Sequence, residues 1–200
     1  MLPEEIVLVG VAINLFYSIW YIRTIFRGGT RPNLISWSIW TIAPFLGFFF
    51  MIRAGAGLAA TPIFMAGFGS LLVIIFSIFK RNAFWKIQRF DLVCGLLSLV
   101  ALIVYVTSQN LPVSIFFALA SDLLAFIPTF VKTWKFPETE SSTTYFGGIV
   151  NNFLALLIIK NWTFSIYAFP LYLMLANLAE VYLIYRKKIF KRHKVDSISA

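Results

Sequence analysis

Apolar residues run in seven long blocks, at positions 6–26, 34–52, 61–79, 90–108, 112–133, 143–160 and 164–185, separated by short polar breaks. Each block has about the 17 to 25 residues that a tilted helix needs to cross roughly 30 Å of hydrocarbon. The pattern therefore predicts an all-α membrane protein with seven transmembrane helices. The breaks alternate in charge. Arg23, Arg27 and Arg31 border the first, Lys80, Arg81, Lys86 and Arg89 the third, and Lys132 and Lys135 the fifth, while Arg186, Lys187, Lys188, Lys191, Arg192 and Lys194 follow the last block. Only Arg53 and Lys160 lie on the other side, a split of 15 to 2. By the positive-inside rule this predicts an outside N-terminus and a cytoplasmic C-terminus. Dropping any one span would scramble the split.

Composition narrows the class further. Of the 200 residues, 60% are hydrophobic and only 12% charged, which leaves no room for a soluble domain. The net charge of +9 does not point to nucleic acid, because its basic residues are those assigned to the cytoplasmic loops and tail. Membrane lipids are the expected partner of that tail, at about 1 kcal/mol per basic residue near an anionic surface. The single cysteine, Cys94, lies inside the fourth block, so neither an intramolecular disulfide nor a cysteine metal cluster can form. Glu4 and Glu5 stand where a secretory signal would carry basic residues, and no small-residue cleavage site follows, so the first helix is expected to be retained. The short chain suits a bacterial inner membrane.

With loops this short, function is expected within the helices. Shifting the chain by 109 residues brings Arg23-Thr24 onto Lys132-Thr133 and Pro32-Asn33 onto Ser141-Ser142, and the apolar helices that follow start in step. Helices 1 to 3 (residues 1–79) and 5 to 7 (residues 112–185) would then be two three-helix bundles. Helix 4 (80–111) links them, and 186–200 forms a basic cytoplasmic tail. One linking span lets helices 1 and 5 run in the same direction, the requirement for parallel repeats about an axis along the membrane normal. The alternative is a plain seven-helix bundle, in which helix 4 would be no more peripheral than its neighbours.

The segment Arg27-Gly28-Gly29-Thr30-Arg31-Pro32-Asn33, followed by Ser36-Trp37, has a counterpart in the second half. There Asp122 to Pro128 runs into Lys132 and then Phe136-Pro137-Glu138-Thr139-Glu140-Ser141. Over about residues 6 to 185 this arrangement resembles the PQ-loop and SWEET-type transporter superfamily, whose members are built as three helices, a linker and three helices. The chain has Pro-Asn where the name-giving loop has Pro-Gln, and Pro137-Glu138 in the second copy. Pro44 on helix 2 and Pro128 on helix 5 match prolines of SWEET transporters, whereas helices 1 and 6 have none. The resemblance implies alternating access to a central site.

Asp122, near the middle of helix 5, is the most costly residue in the chain, since a carboxylate at a helix centre costs roughly 2.5 to 3.5 kcal/mol to insert. It either couples protons or binds substrate, or else it locks helices together through hydrogen bonds. Asn14 on helix 1 falls within one residue of the repeat position of Asp122. It heads a polar stripe of Asn14, Tyr17, Ser18 and Tyr21 on one helix face, which serves a central site or interhelical packing. On helix 7, Asn177 and Glu180 share a face at i, i+3, with Glu180 near enough to the interface to pair with a basic residue. Asn151 and Asn152 on helix 6 point about 100° apart, so at most one faces a path, and Asn151 is the one assigned to it here. Trp37 and Trp40, with Trp20, would form an aromatic wall, or pack in the inner half of the membrane. Trp134 and Trp162 sit where an interfacial belt would place them. Pro44 and Pro128 can kink their helices for gating. Ala66, Gly67 and Gly69 on helix 3 would tolerate a homo-oligomer interface.

No catalytic or cofactor chemistry is expected. The only histidine, His193, lies in the tail, so a metal site has no ligands. Helix 7 has no lysine for a retinal Schiff base, and no Gly-rich phosphate loop is present. The expected function is a small transporter or facilitator of a small polar solute, with Asp122, Asn14, Asn151 and Asn177 as polar contacts and Trp37 or Trp40 as a stacking surface. The alternative is a membrane scaffold that binds a partner subunit through its basic loops. A transporter should gather Asn14, Asp122 and Asn177 around one hydrated cavity, whereas a scaffold would bury them singly.

Overall fold

A computed structural model describes residues 3–80, 84–108 and 110–196, with 188–196 described as backbone only. Arg81 and the tail side chains from Lys188 on, His193 among them, lie outside the described residues. Among the described residues seven α-helices follow in order: α1 (Ile6–Phe26), α2 (Leu34–Arg53), α3 (Thr61–Phe79), α4 (Arg89–Thr107), α5 (Leu111–Lys135), α6 (Thr143–Ile158) and α7 (Phe164–Asp196). Six are long and apolar enough to cross a membrane, and α6, at 16 residues, is the shorter one. The protein is an α-helical integral membrane protein. Its exposed surface is rich in Leu, Ile, Val and Phe, a composition that only lipid tolerates over so wide an area.

Local chemistry sets the helix ends. α1 stops at Gly28, whose φ of 78° is a left-handed conformation that lets the chain turn out of the helix. Pro32 cannot continue a helix from within, and the Asn33 side chain caps α2 by accepting from Ile35 N at 3.1 Å. α2 ends likewise at Gly55, and Pro62 opens α3. At the start of α4, the Gln88 N–H donates to Asp91 Oδ2 at 2.8 Å, which places an acidic side chain at the positive end of the helix dipole. Instead of ending near 185, α7 continues to Asp196. Residues 186–196 contain neither Gly nor Pro, and their Lys and Arg are good helix formers that favour a helix C-terminus.

α3 packs against both α1 and α2, and α7 against both α5 and α6; the two trios meet where α1 lies on α6 and α2 on α5. Six helices thus form a closed ring in the order α1, α3, α2, α5, α7, α6. α4 stays outside the ring, packed on α5 and less extensively on α2. Its opposite face, including Leu92, Val93, Leu96, Val100 and Ile103, is exposed.

Glycines let the ring close. A Cβ at Gly147 would lie 2.9 Å from Tyr17 Cβ and 3.2 Å from the Asn14 Cα, so α6 and α1 touch nearly backbone to backbone. A Gly147→Ala change is expected to destabilise the fold by about 1–3 kcal/mol through overpacking, outweighing the roughly 1 kcal/mol that Ala gains in helix propensity. A lowered Tm in detergent is the check. On α3, Gly67 packs under the Phe45 ring of α2, Gly69 lies on Ser18 of α1, and Ala66 faces the interior. These small residues serve packing within the chain, where the sequence reading had offered them to a subunit interface.

Candidate functional site

A cavity lies at the centre of the ring, and all six ring helices line it. α1 contributes Asn14 and Ser18, α2 Trp37, Trp40 and Pro44, and α3 Met65, Ala66, Gly69 and Ser70. From the other trio come Asp122 and Phe126 of α5, Thr144, Tyr145, Gly148 and Asn152 of α6, and Leu173 and Asn177 of α7. The cavity has about 60 Å³ of space in which the centre of a water molecule can sit. At about 10–15 Å³ of such space per water, that is room for a few waters or a solute of a few heavy atoms. A larger solute requires the walls to move.

Its lining combines aromatic rings with polar side chains. Trp40 packs on Phe126 with ring centroids 4.2 Å apart and meets Trp37 edge-on at 5.2 Å. Asp122 is wholly buried; its Oδ2 accepts the Tyr172 hydroxyl at 2.9 Å, while Oδ1 has no protein partner. The Trp40 indole N–H and the Asn152 carbonyl oxygen are also buried without a partner. Asn152 gives its amide to Gly148 O at 2.8 Å and Asn177 gives its own to Leu173 O at 2.6 Å, so both are oriented by their own helices. The site thus presents a carboxylate, an amide oxygen and an indole N–H, all short of partners, beside aromatic rings. Buried polar atoms without partners cost stability, and they persist where water or a ligand can satisfy them.

The structure gathers Asn14, Asp122, Asn177, Trp37, Trp40 and Pro44 at this cavity, and sets the other candidates elsewhere. Asn151 is not on it. The neighbouring Asn152 is, while Asn151 sits between α1 and α3, with its amide 3.5 Å from Pro62 O and its oxygen against Gly10. The reason is rotational phase. Gly147 and Asn151, one turn apart, face α1, whereas Gly148 and Asn152 face the cavity and α7. Trp20, 42% exposed, is absent from the aromatic wall and lies under the Arg23 guanidinium on the outer surface. Pro128 is buried away from the cavity. Trp134 and Trp162 are exposed near opposite ends of the bundle.

Glu180 belongs to a second cluster, between the cavity and the end of the bundle that carries α1's C-terminus. The cavity meets this cluster at Trp37 and Tyr145, both of which pack on Tyr21, with ring centroids 5.1 and 6.5 Å away. Tyr21 donates to Glu140 Oε1 at 2.6 Å, and Glu140 Oε2 forms an ion pair with Lys132, which also donates to Arg31 O at 2.8 Å. Lys132 and Glu140 are only 3% and 6% exposed. Lys132 had read as a loop-border charge. Glu180 takes the Thr133 hydroxyl and makes no ion pair with Arg186, whose guanidinium donates to the carbonyls of Thr133, Trp134 and Leu183 and lies 4.2 Å over the Trp134 ring. At the opposite end, Lys160 pairs with Glu4 in solvent; the hydrogen bond to Glu4, and then its charge, hold the Lys160 ammonium above the usual lysine range.

Ser70, Tyr145, Asn152 and Tyr172 had not been singled out as site residues. Asn152 was signalled by its i, i+4 spacing from Gly148, but serine and tyrosine in apolar helices are too common to stand out. Among the described residues no group of three or more His, Cys, Asp or Glu could hold a metal. No known protein family matches the chain, and comparison with curated proteins and with solved structures finds no similar protein.

Proposed function

We propose that the protein is a small secondary transporter or facilitator that moves a small polar solute through the central cavity by alternating access. The observation that carries this reading is the partner-short polar set of Asp122, Asn152 and Trp40 on a cavity lined by all six ring helices and by none of α4. A scaffold would have no reason to converge Asn14, Asp122 and Asn177 on one cavity. A 3+1+3 parallel-repeat plan suits the packing. Exchanging α1, α2 and α3 with α5, α6 and α7 maps the ring order onto itself, and α4 is the peripheral linker. The 109-residue shift also carries the end of α1 at Phe26 onto the end of α5 at Lys135, and the start of α2 at Leu34 onto that of α6 at Thr143. These features support the likeness to PQ-loop and SWEET-type transporters, with the basic end of the bundle in the cytoplasm of a bacterial inner membrane.

In this scheme Asp122 binds the solute or carries a coupling proton, Asn14, Asn152 and Asn177 supply hydrogen bonds, and the Trp37–Trp40 corner stacks on the solute. The test is thermal stability against sugars, amino acids and vitamins at pH 5.5 and 7.5, followed by uptake of any hit into proteoliposomes. A ligand of the folded state raises Tm by mass action. Asp122→Asn should weaken the hit by about 10- to 100-fold, the worth of a charge-assisted hydrogen bond. Binding and pH dependence unchanged in Asp122→Asn would refute the role of this carboxylate.

A further inference from the structure

Between the central cavity and the basic end, two carboxylates share one ammonium. Glu140 is engaged by Lys132 and Tyr21, but Glu180, with no exposed surface, has a partner for only one oxygen. Its Oε2 is buried and unpartnered. Thr133, which donates to Glu180, follows Lys132 in α5; Lys132 pairs with Glu140, and Glu140 accepts from Tyr21, which packs on Tyr145. The charge count of this group is two negative and one positive. Arg186, farther along the same helix, is committed to three backbone carbonyls and the Trp134 ring.

We propose that the free oxygen of Glu180, in the same buried cluster as the Glu140 carboxylate and the Tyr145 hydroxyl, forms a monovalent-cation site, separate from Asp122, that takes a proton or a sodium ion. One bound charge makes the group neutral while the Lys132–Glu140 pair is closed. The cation therefore favours the closed pair, which joins α5 to the turn before α6 and to Arg31 ahead of α2. Loss of the cation leaves two carboxylates competing for Lys132 and favours opening toward the polar recess lined by Thr24, Thr30, Glu140 and Ser142. The cation site stands on its own geometry; its part in exposing the central cavity rests on the transport reading. The charged and titratable groups of this cluster are Lys132 of α5, whose neighbour Thr133 donates to Glu180, Glu140 of the following turn, Tyr21 of α1 and Tyr145 of α6. On its own helix, Arg186 is held as described, and Tyr185 lies 2.9 Å from the Ser142 hydroxyl.

The test uses the full-length chain in phosphatidylcholine nanodiscs, in an Asp122→Asn background that removes the carboxylate of the central cavity. Tm is followed from pH 5.5 to 8.5 in choline chloride and in sodium chloride. In choline, Tm should fall by about 3 °C per pH unit while the folded state still holds the proton, and level off once the site empties, because a ligand of the folded state stabilises it by mass action. Recovery of Tm in sodium identifies sodium as an occupant, and no recovery leaves the proton; either supports the site. Adding Glu180→Gln, which keeps an acceptor for Thr133, should flatten both curves. A slope that persists in Glu180→Gln, or a flat parent curve in both salts, overturns the proposal. If Glu180→Gln does not fold, Thr133→Val decides: removing a donor to the carboxylate extends the fall to higher pH before it levels off, and an unmoved levelling point is refutation. A failure of the central-site reading looks different, as a solute shift that Asp122→Asn leaves unchanged while the Glu180-dependent slope remains.

Discussion

Replacing Lys132 by Met should destabilise the protein by about 3–5 kcal/mol, the cost of leaving one member of a buried ion pair without its counter-charge. Lys132 and Glu140 are nearly inaccessible to solvent, so Glu140 cannot recover its hydration without displacing Tyr21 or opening the turn between α5 and α6. Lys132 also holds Arg31 O, which ties the α1–α2 turn to α5. Glu140→Gln alone should be less harmful, since Glu180 remains as a counter-charge for the ammonium. The double variant Lys132→Met/Glu140→Gln should regain most of the loss, because a neutral pair needs no compensation. Denaturant titration of the four proteins in mild detergent gives the coupling energy directly. Additive single effects would mean that the two side chains act independently, and that the junction is held by the Tyr21 and Arg31 contacts alone.

Trp40→Ala should cost about 3–5 kcal/mol, the range for removing a buried large aromatic. Trp40 is a main contact of α2 with α5 through Phe126, and it braces Trp37 against the cavity. Because its indole already borders a cavity, the void joins space that water can enter, and the loss should fall toward the lower end of that range. Trp40→Phe should recover much of it. The same truncation widens the site and removes a donor that has no protein partner, so the preferred solute should shift toward larger, less acceptor-rich compounds. Tm values for the three proteins, combined with the ligand panel, separate the two effects. A destabilised Trp40→Ala with unchanged solute preference would place the solute on another wall.

Seven helices and most of their ends were legible along the chain because insertion into lipid depends on a local sum of apolar residues, and because Gly28, Asn33, Gly55 and Pro62 act on their own backbone. The cost of a buried carboxylate likewise made Asp122 visible without any structure. Which face of each helix turns inward was not legible in the same way. Lipid is as apolar as the helix interface, so a lipid-facing Leu and a core Leu look alike, and the period that marks the buried side of a soluble helix fades. Tertiary packing decided it. Close contact of Gly147 with α1 set the rotation of α6 and so chose Asn152 over Asn151, and Lys132 and Glu140 became a buried pair because the turn before α6 folds back over α5. Charge counted along the chain measures which end of a helix a residue occupies; whether that charge meets water or a partner depends on neighbours more distant in sequence, such as Tyr21, 119 residues from Glu140.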